Sequence, residues 1–301
     1  MASQQEETVG KPGIVDPSGA PVLPDVLPPL TDKQAEEAEA HRSTAALVVH
    51  ETIRKNGEEE LARPLRALAW SGFAAGLSMG FSVLVEAMLY SFTPDAAWKP
   101  LVVGLGYPVG FLIVIIGRQQ LFTENTLTPI IPLLTHRSLR VLRGVLRLWA
   151  VVFTANLTGA HAFALAMART NVMRPEVREA MRQLSLATAG VTPGEAMLRG
   201  IFAGWLIATM VWMLAATESA TARILIIGIL TYVVAIANLT HVIVGSTEML
   251  FLVMSGAKSW LTYSTAYMLP TLAGNIIGGV ALVSALNHAQ VVAGRTSPTA
   301  L

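Results

Sequence analysis

A chain of 301 residues that is 53% hydrophobic and only 14% charged, with a mean hydropathy of +0.54, is too apolar for a soluble domain and reads as an integral membrane protein. A net charge of +1 leaves no concentrated basic face for phosphates, which excludes a nucleic-acid partner. The absence of cysteine excludes thiolate metal sites, disulfides and thiol redox couples.

Residues 1–30 are expected to form a disordered tail, because Pro12, Pro17, Pro21, Pro24, Pro28 and Pro29 interrupt any regular structure. No apolar core follows a basic start, so this is not a secretory signal. Thr31 and Asp32 can cap a helix, and Ala35 to Ile53 has helical composition with a polar face. A cytoplasmic amphipathic helix is therefore expected within residues 31–63, with Gly57 ending its regular part. Pro64 suits the first turn of the first membrane span.

A bilayer-spanning helix needs about 20 apolar residues. Ala67 to Phe92, Leu148 to Met167, Gly200 to Ala216, Ile224 to Leu239 and Tyr267 to Leu286 reach or approach that length. Leu101 to Ile116, joined across an interruption to Leu127 to Leu134, supplies one more. The expectation is an all-α membrane domain of six spans over residues 64–288, followed by a disordered tail over 289–301. Lys and Arg in short loops mark the cytoplasmic side. Arg54, Lys55, Arg63 and Arg66 precede the first span, and Arg137, Arg140, Arg143 and Arg147 follow the second, which puts both termini inside. Arg174, Arg178 and Arg182, in the segment from Arg169 to Arg199, run against that orientation, diluted by Glu176 and Glu179.

The second and fifth spans are expected to break, near Gln120 to Asn125 and near Leu239 to Glu248, because polar residues stand there between apolar runs. Unwound backbone at membrane depth persists only where protein or water satisfies its amides, so two breaks point to a pathway through the protein. The halves also repeat. Ala155-Asn156-Leu157-Thr158-Gly159-Ala160 in the third span parallels Gly274-Asn275-Ile276-Ile277-Gly278-Gly279 in the sixth, and Thr123-Glu124 parallels Thr247-Glu248. Three crossings per unit reverse direction, so the two three-helix repeats must be inverted.

Leu121-Phe122-Thr123 after the second span, a His at the interrupted fifth span and Gly274-Asn275-Ile276-Ile277-Gly278-Gly279 in the sixth resemble the formate/nitrite transporter family over roughly Arg63 to Asn287. Glu58 to Pro64 and Phe122-Thr123-Glu124-Asn125 look more like a poorly characterised branch of it. The resemblance implies an aquaporin-like fold assembled as a homopentamer in the lipid bilayer, with one pore in each protomer. It implies passage of small monovalent anions, often with a proton, across a bacterial inner membrane. It needs no cofactor and no metal, and no enzyme is expected: the chain has no His-Glu-x-x-His motif, and Gly76-Leu77-Ser78-Met79-Gly80 matches Gly-x-Ser-x-Gly only inside the long apolar run of the first span, not at a strand-to-helix elbow.

Laid on the family pattern, the pore histidine falls on His241 and its neighbouring threonine on Thr123, with apolar constrictions at Phe111 and Ile207 and at Leu121 and Val234. An imidazole, with an ordinary pKa of about 6.5, could present a charge or a proton to an anion there. Three positions depart from the formate members: Gln120 and Thr240 replace carboxylates, and Gly204 replaces an Asn. Four ionisable groups, Glu86, Arg118, Glu124 and Glu248, fall at membrane depth. Each would cost about 3 kcal/mol or more against lipid, so Arg118 is expected to pair with at least one of the acids. The leading function is a channel or proton-coupled transporter for a small monovalent anion or weak acid. The alternative, favoured by the intramembrane acids, is a channel for a neutral or cationic small solute.

Overall fold

The computed structural model describes residues 46–296, with side chains described to residue 293, and all regular structure among them is helical. The expected tail at 1–30, the first part of the expected amphipathic helix at 31–45, and residues 297–301 lie outside the described residues.

Helix α1, Ala46–Ala62, does not stop at Gly57 as the sequence reading expects. A Cβ on Gly57 would collide with the Thr128 carbonyl oxygen and come within 2.8 Å of the Pro132 ring. The glycine is there for close approach, and the helix runs through it. Val49 and Ile53 on the same helix pack with Leu127, Ile131, Ala208 and Val283. Gly57→Leu should push α1 off this surface at a cost of about 1–3 kcal/mol, the usual range for overpacking. Differential scanning fluorimetry of the variant checks it, and an unchanged melting temperature would contradict the packing.

The exposed side of α1 carries a charge cluster. His136 Nε2 lies 2.7 Å from Glu58, and Arg54 bonds Glu51 at 2.6 Å and also reaches Glu58. The hydrogen bond from His136, aided by Arg54, holds the Glu58 carboxyl below its ordinary value of 4.5. A depressed carboxyl stabilises above its ordinary pKa, and the contribution is lost as pH falls through the lowered value. As pH falls below the ordinary carboxyl value of 4.5, proteolysis within α1 should therefore accelerate in the native protein and change less with pH in Glu58→Gln. The effect is small because solvent screens the pair.

Among the described residues, five helices are long and apolar enough to cross a membrane: α2 Leu65–Phe92, α3 Lys99–Ile116, α5 Leu139–Arg169, α7 Pro193–Ala215 and α10 Trp260–Ala293. Short helix α4, Ile130–His136, resumes the direction lost when α3 ends. Helix α6, Pro175–Ala189, joins α5 to α7. Two shorter apolar helices, α8 Ala220–Ile236 and α9 Val242–Met254, follow one another across a gap. Local sequence sets several starts. Ser138 accepts from the Arg140 amide, Ser219 from the Ala222 amide, and Thr192 with Glu195 forms a capping box at α7. Helix α10 has a π-helical stretch at Tyr263–Met268, just before Pro270, whose missing N–H and ring disturb the preceding turn.

Four boundaries differ from the sequence reading. The first break opens after Ile116 and closes only at Ile130, with a single 3-10 turn at Glu124–Thr126. The second occupies 237–241 alone, so Val242 to Glu248 is helical rather than unwound. The helix of α10 continues past Ala293 and through Gly294 to Thr296, so 289–296 is not the start of a disordered tail. The segment from Arg169 to Arg199, to which the sequence reading assigns no helix, holds α6, whose Val177, Ala180, Met181 and Ser185 are buried.

Helix α2 packs along α5, and α7 along α10, at glycine positions. A Cβ on Gly76 would meet the Asn156 carbonyl, and one on Gly204 would meet the Asn275 carbonyl. Gly204, which departs from the family's Asn, is thus a contact point between helices with no room for a side chain.

Candidate functional site

Two asparagines hold the two breaks by the same set of bonds. Asn156 Oδ1 accepts from the Phe122 amide at 2.8 Å, and its Nδ2 donates to the Gln120 and Gly72 carbonyls at 2.8 and 2.7 Å. Asn275 Oδ1 accepts from the Val242 amide at 2.9 Å, and its Nδ2 donates to the Thr240 and Gly200 carbonyls at 3.0 and 2.9 Å. Both asparagines are fully buried. Backbone that leaves a helix in an apolar interior must find such partners, and an amide side chain offers a donor and an acceptor together. The repeat that carries these asparagines is visible in the sequence, but their function as plugs for the breaks is not. The same duplication places Arg118 and Asn238 in the left-handed region, each with φ of 51°, at the ends of α3 and α8.

The breaks bring Thr123 and His241 together. Thr123 Oγ1 lies 2.8 Å from His241 Nε2, and the two side chains are 0% and 1% exposed. His241 is also the N-cap of α9, where its Nδ1 accepts the Val244 amide at 3.3 Å. Because Nδ1 serves as an acceptor, the ring proton sits on Nε2 and points at Thr123. This arrangement holds a neutral imidazole as a donor, and putting a proton on Nδ1 would forfeit the cap. The positions of the missing carboxylates have been absorbed into holding backbone: Gln120 Oε1 accepts from Asn125 Nδ2 at 3.1 Å, and Thr240 Oγ1 donates to the Ala196 carbonyl at 2.6 Å.

Apolar side chains crowd this pair. The Phe111 ring meets the His241 ring edge-on at 5.1 Å and stacks on Tyr107 at 5.4 Å. Phe111, Ile207, Leu121 and Val234 are all 0% exposed. A cavity of about 630 Å³ runs from Asp95 and Lys99 to His241, with Glu86, Tyr107, Thr188, Glu248 and Tyr267 on its walls. Thr188 Oγ1, at the end of α6, donates to Glu248 at 2.9 Å. Tyr107 and α6 were missed as site elements; the signal for α6 was the spacing of Val177, Ala180, Met181 and Ser185 on one helical face.

The expected charge network does not form. Arg118 is exposed on the protomer and makes no ion pair with Glu86, Glu124 or Glu248 among the described residues. The left-handed turn that ends α3 carries Arg118 away from the interior, as it carries Asn238 at the end of α8. Glu86 and Glu248 instead face the cavity, and Glu124 begins the 3-10 turn with its Oε1 buried and without a hydrogen-bond partner.

The family model described as formate/nitrite transporter matches residues 47–289 of the chain. The chain belongs to the formate/nitrite transporter family. It is accordingly a transport protein of the membrane and not an enzyme. The inner membrane protein YfdC of Escherichia coli K12 is 39% identical over 259 residues, which cover 86% of this chain and 83% of that protein. A solved FNT family ion channel superposes with a TM-score of 0.69 at 19% identity, over 82% of this chain and 99% of that one. A pentameric formate channel solved with formate bound superposes with a TM-score of 0.60 at 18% identity, over 79% and 98%. These likenesses establish the family's membrane helical fold for the chain. Residue roles rest on the geometry above.

Proposed function

We propose that the chain is a channel or proton-coupled transporter for a small monovalent anion or its conjugate weak acid, formate-like in size, through one pathway in each protomer. The observation that carries this reading is the His241–Thr123 hydrogen bond, fixed between two broken helices with His241 at a cavity wall and the Phe111 ring edge-on against it; Ile207, Leu121 and Val234, the other expected constriction residues, are fully buried. A bare anion crossing such an apolar ring would lose its water at a cost of several kcal/mol. A neutral Nε2–H can donate to the anion or exchange a proton with it, so that it crosses as the weak acid.

In this reading α3 with α4 is the second crossing and α8 with α9 the fifth, giving six spans in two inverted three-helix repeats related as Asn156 is to Asn275. Both termini lie in the cytoplasm, since Arg63, Arg66 and Arg147 gather on one side, and the YfdC likeness favours a bacterial inner membrane. The solved pentameric formate channel supports a homopentamer.

A second reading, a pathway for a neutral or cationic solute, is favoured by Glu86 and Glu248 on the cavity wall. A liposome flux screen across formate, nitrite, acetate, hydrosulfide, ammonium and glycerol separates the two. Formate or nitrite flux above protein-free liposomes supports the first. Flux of ammonium or glycerol alone replaces it with the second.

A further inference from the structure

The cavity that ends on His241 carries two carboxyls on its wall, apart from Asp95 at its mouth. Glu86 of α2 and Glu248 of α9 both line it. Neither forms an ion pair among the described residues, and Glu248 has only the Thr188 hydroxyl as a partner, at 2.9 Å. The basic group on the wall, Lys99, is already engaged at the mouth, its Nζ 2.9 Å from Asp95 Oδ1 and 3.7 Å above the centre of the Tyr90 ring. Beside Glu86, Tyr107 is 7% exposed and lines the same cavity, yet its hydroxyl has no hydrogen-bond partner among the described residues. Tyr267, 3% exposed, completes the wall.

Two carboxyls without a counter-charge, beside a phenol whose hydroxyl has no partner among the described residues, leave this wall with negative groups that no cation meets. An ammonium group supplies what is missing: a positive charge and several N–H donors on one compact centre, attracted as well to tyrosine faces. The mouth of the cavity already holds a group of this kind, the Lys99 ammonium between an aspartate and a tyrosine ring. We propose that Glu86, Glu248 and the Tyr107 hydroxyl form a binding site for a small ammonium-type cation, ammonium itself or a short primary alkylammonium. One N–H goes to each carboxylate and one to the phenol oxygen. A tetraalkylammonium ion, which has no N–H, leaves those acceptors unmet and is not a ligand. The site lies outside the Phe111 constriction and does not depend on the anion reading of His241.

The test is calorimetric titration of the full chain in lipid nanodiscs at neutral pH with methylammonium chloride, sodium chloride and tetramethylammonium chloride at matched ionic strength. Saturable heat is expected with methylammonium alone. Its affinity should fall at least tenfold in Glu86→Gln and in Glu248→Gln, and measurably in Tyr107→Phe, which keeps the ring and removes only the hydroxyl. Should a variant fail to fold, the wild-type melting temperature still decides: methylammonium must raise it more than the other two salts. Equal responses to the three salts, or unchanged affinity in the folded glutamine variants, would overturn the site. So would a carboxylic-acid infrared band, absent from Glu86→Gln, that persists in saturating methylammonium, because the pair would then hold a proton in place of the cation.

Discussion

Asn275→Leu is expected to destabilise the folded state severely. The substitution keeps the approximate volume of the side chain but leaves the Val242 amide and the Thr240 carbonyl without the partners that Asn275 gives them. A buried backbone group left unsatisfied costs about 1–3 kcal/mol, so two cost roughly 2–6 kcal/mol, before counting the displaced His241. Against a typical total stability of about 5–15 kcal/mol this removes much or all of the margin. Asn156→Leu should do the same at the first break, where the Phe122 amide and the Gln120 carbonyl lose their partner. The measurement is thermal unfolding of detergent-purified protein. Wild-type melting in either variant would mean that the breaks are held by something else.

Phe111→Ala should combine a large loss of stability with a gain of permeation. The ring is fully buried between Tyr107 and His241, and removing a buried phenyl group typically costs about 3–5 kcal/mol. The same ring closes the approach to His241, so protein that still folds should pass formate faster and discriminate less against acetate. Stopped-flow uptake into liposomes reads both changes. Unchanged uptake in a folded, destabilised variant would make Phe111 a packing residue and move the constriction elsewhere.

The sequence was informative where polarity interrupts hydrophobicity. Gln120 to Asn125 and the residues around Thr240 and His241 betray the breaks because lipid offers their backbone no hydrogen bonds, and the repeated Asn-x-x-Gly betrays the duplication. The pairing of Thr123 with His241 follows once both breaks are drawn to the same depth. What stayed hidden depends on direction rather than composition. The left-handed turn at Arg118 decides that the guanidinium leaves the interior, and no sequence pattern announces φ at a residue other than glycine. Gly57 looks like a helix end in one dimension and is a contact point in three, because its lost Cβ matters only beside the Thr128 carbonyl. The tautomer of His241 likewise depends on an amide three residues on, which is a feature of the cap and not of the residue type.

The central claim, that His241 serves the permeating species through its Nε2–H, is tested most directly by formate uptake into liposomes containing His241→Asn, measured across an inward proton gradient. Asparagine is a good helix N-cap, so its side-chain oxygen can replace Nδ1 in accepting the Val244 amide, while its Nδ2 stops short of the place of Nε2 and does not titrate. The variant should therefore fold and melt like the wild type. A hydrogen bond to a charged group is worth about 1.5–3 kcal/mol, so uptake should fall by roughly tenfold or more and its rise with acidity should be lost. Uptake equal to the wild type with the same pH profile would contradict the account and remove His241 from the pathway.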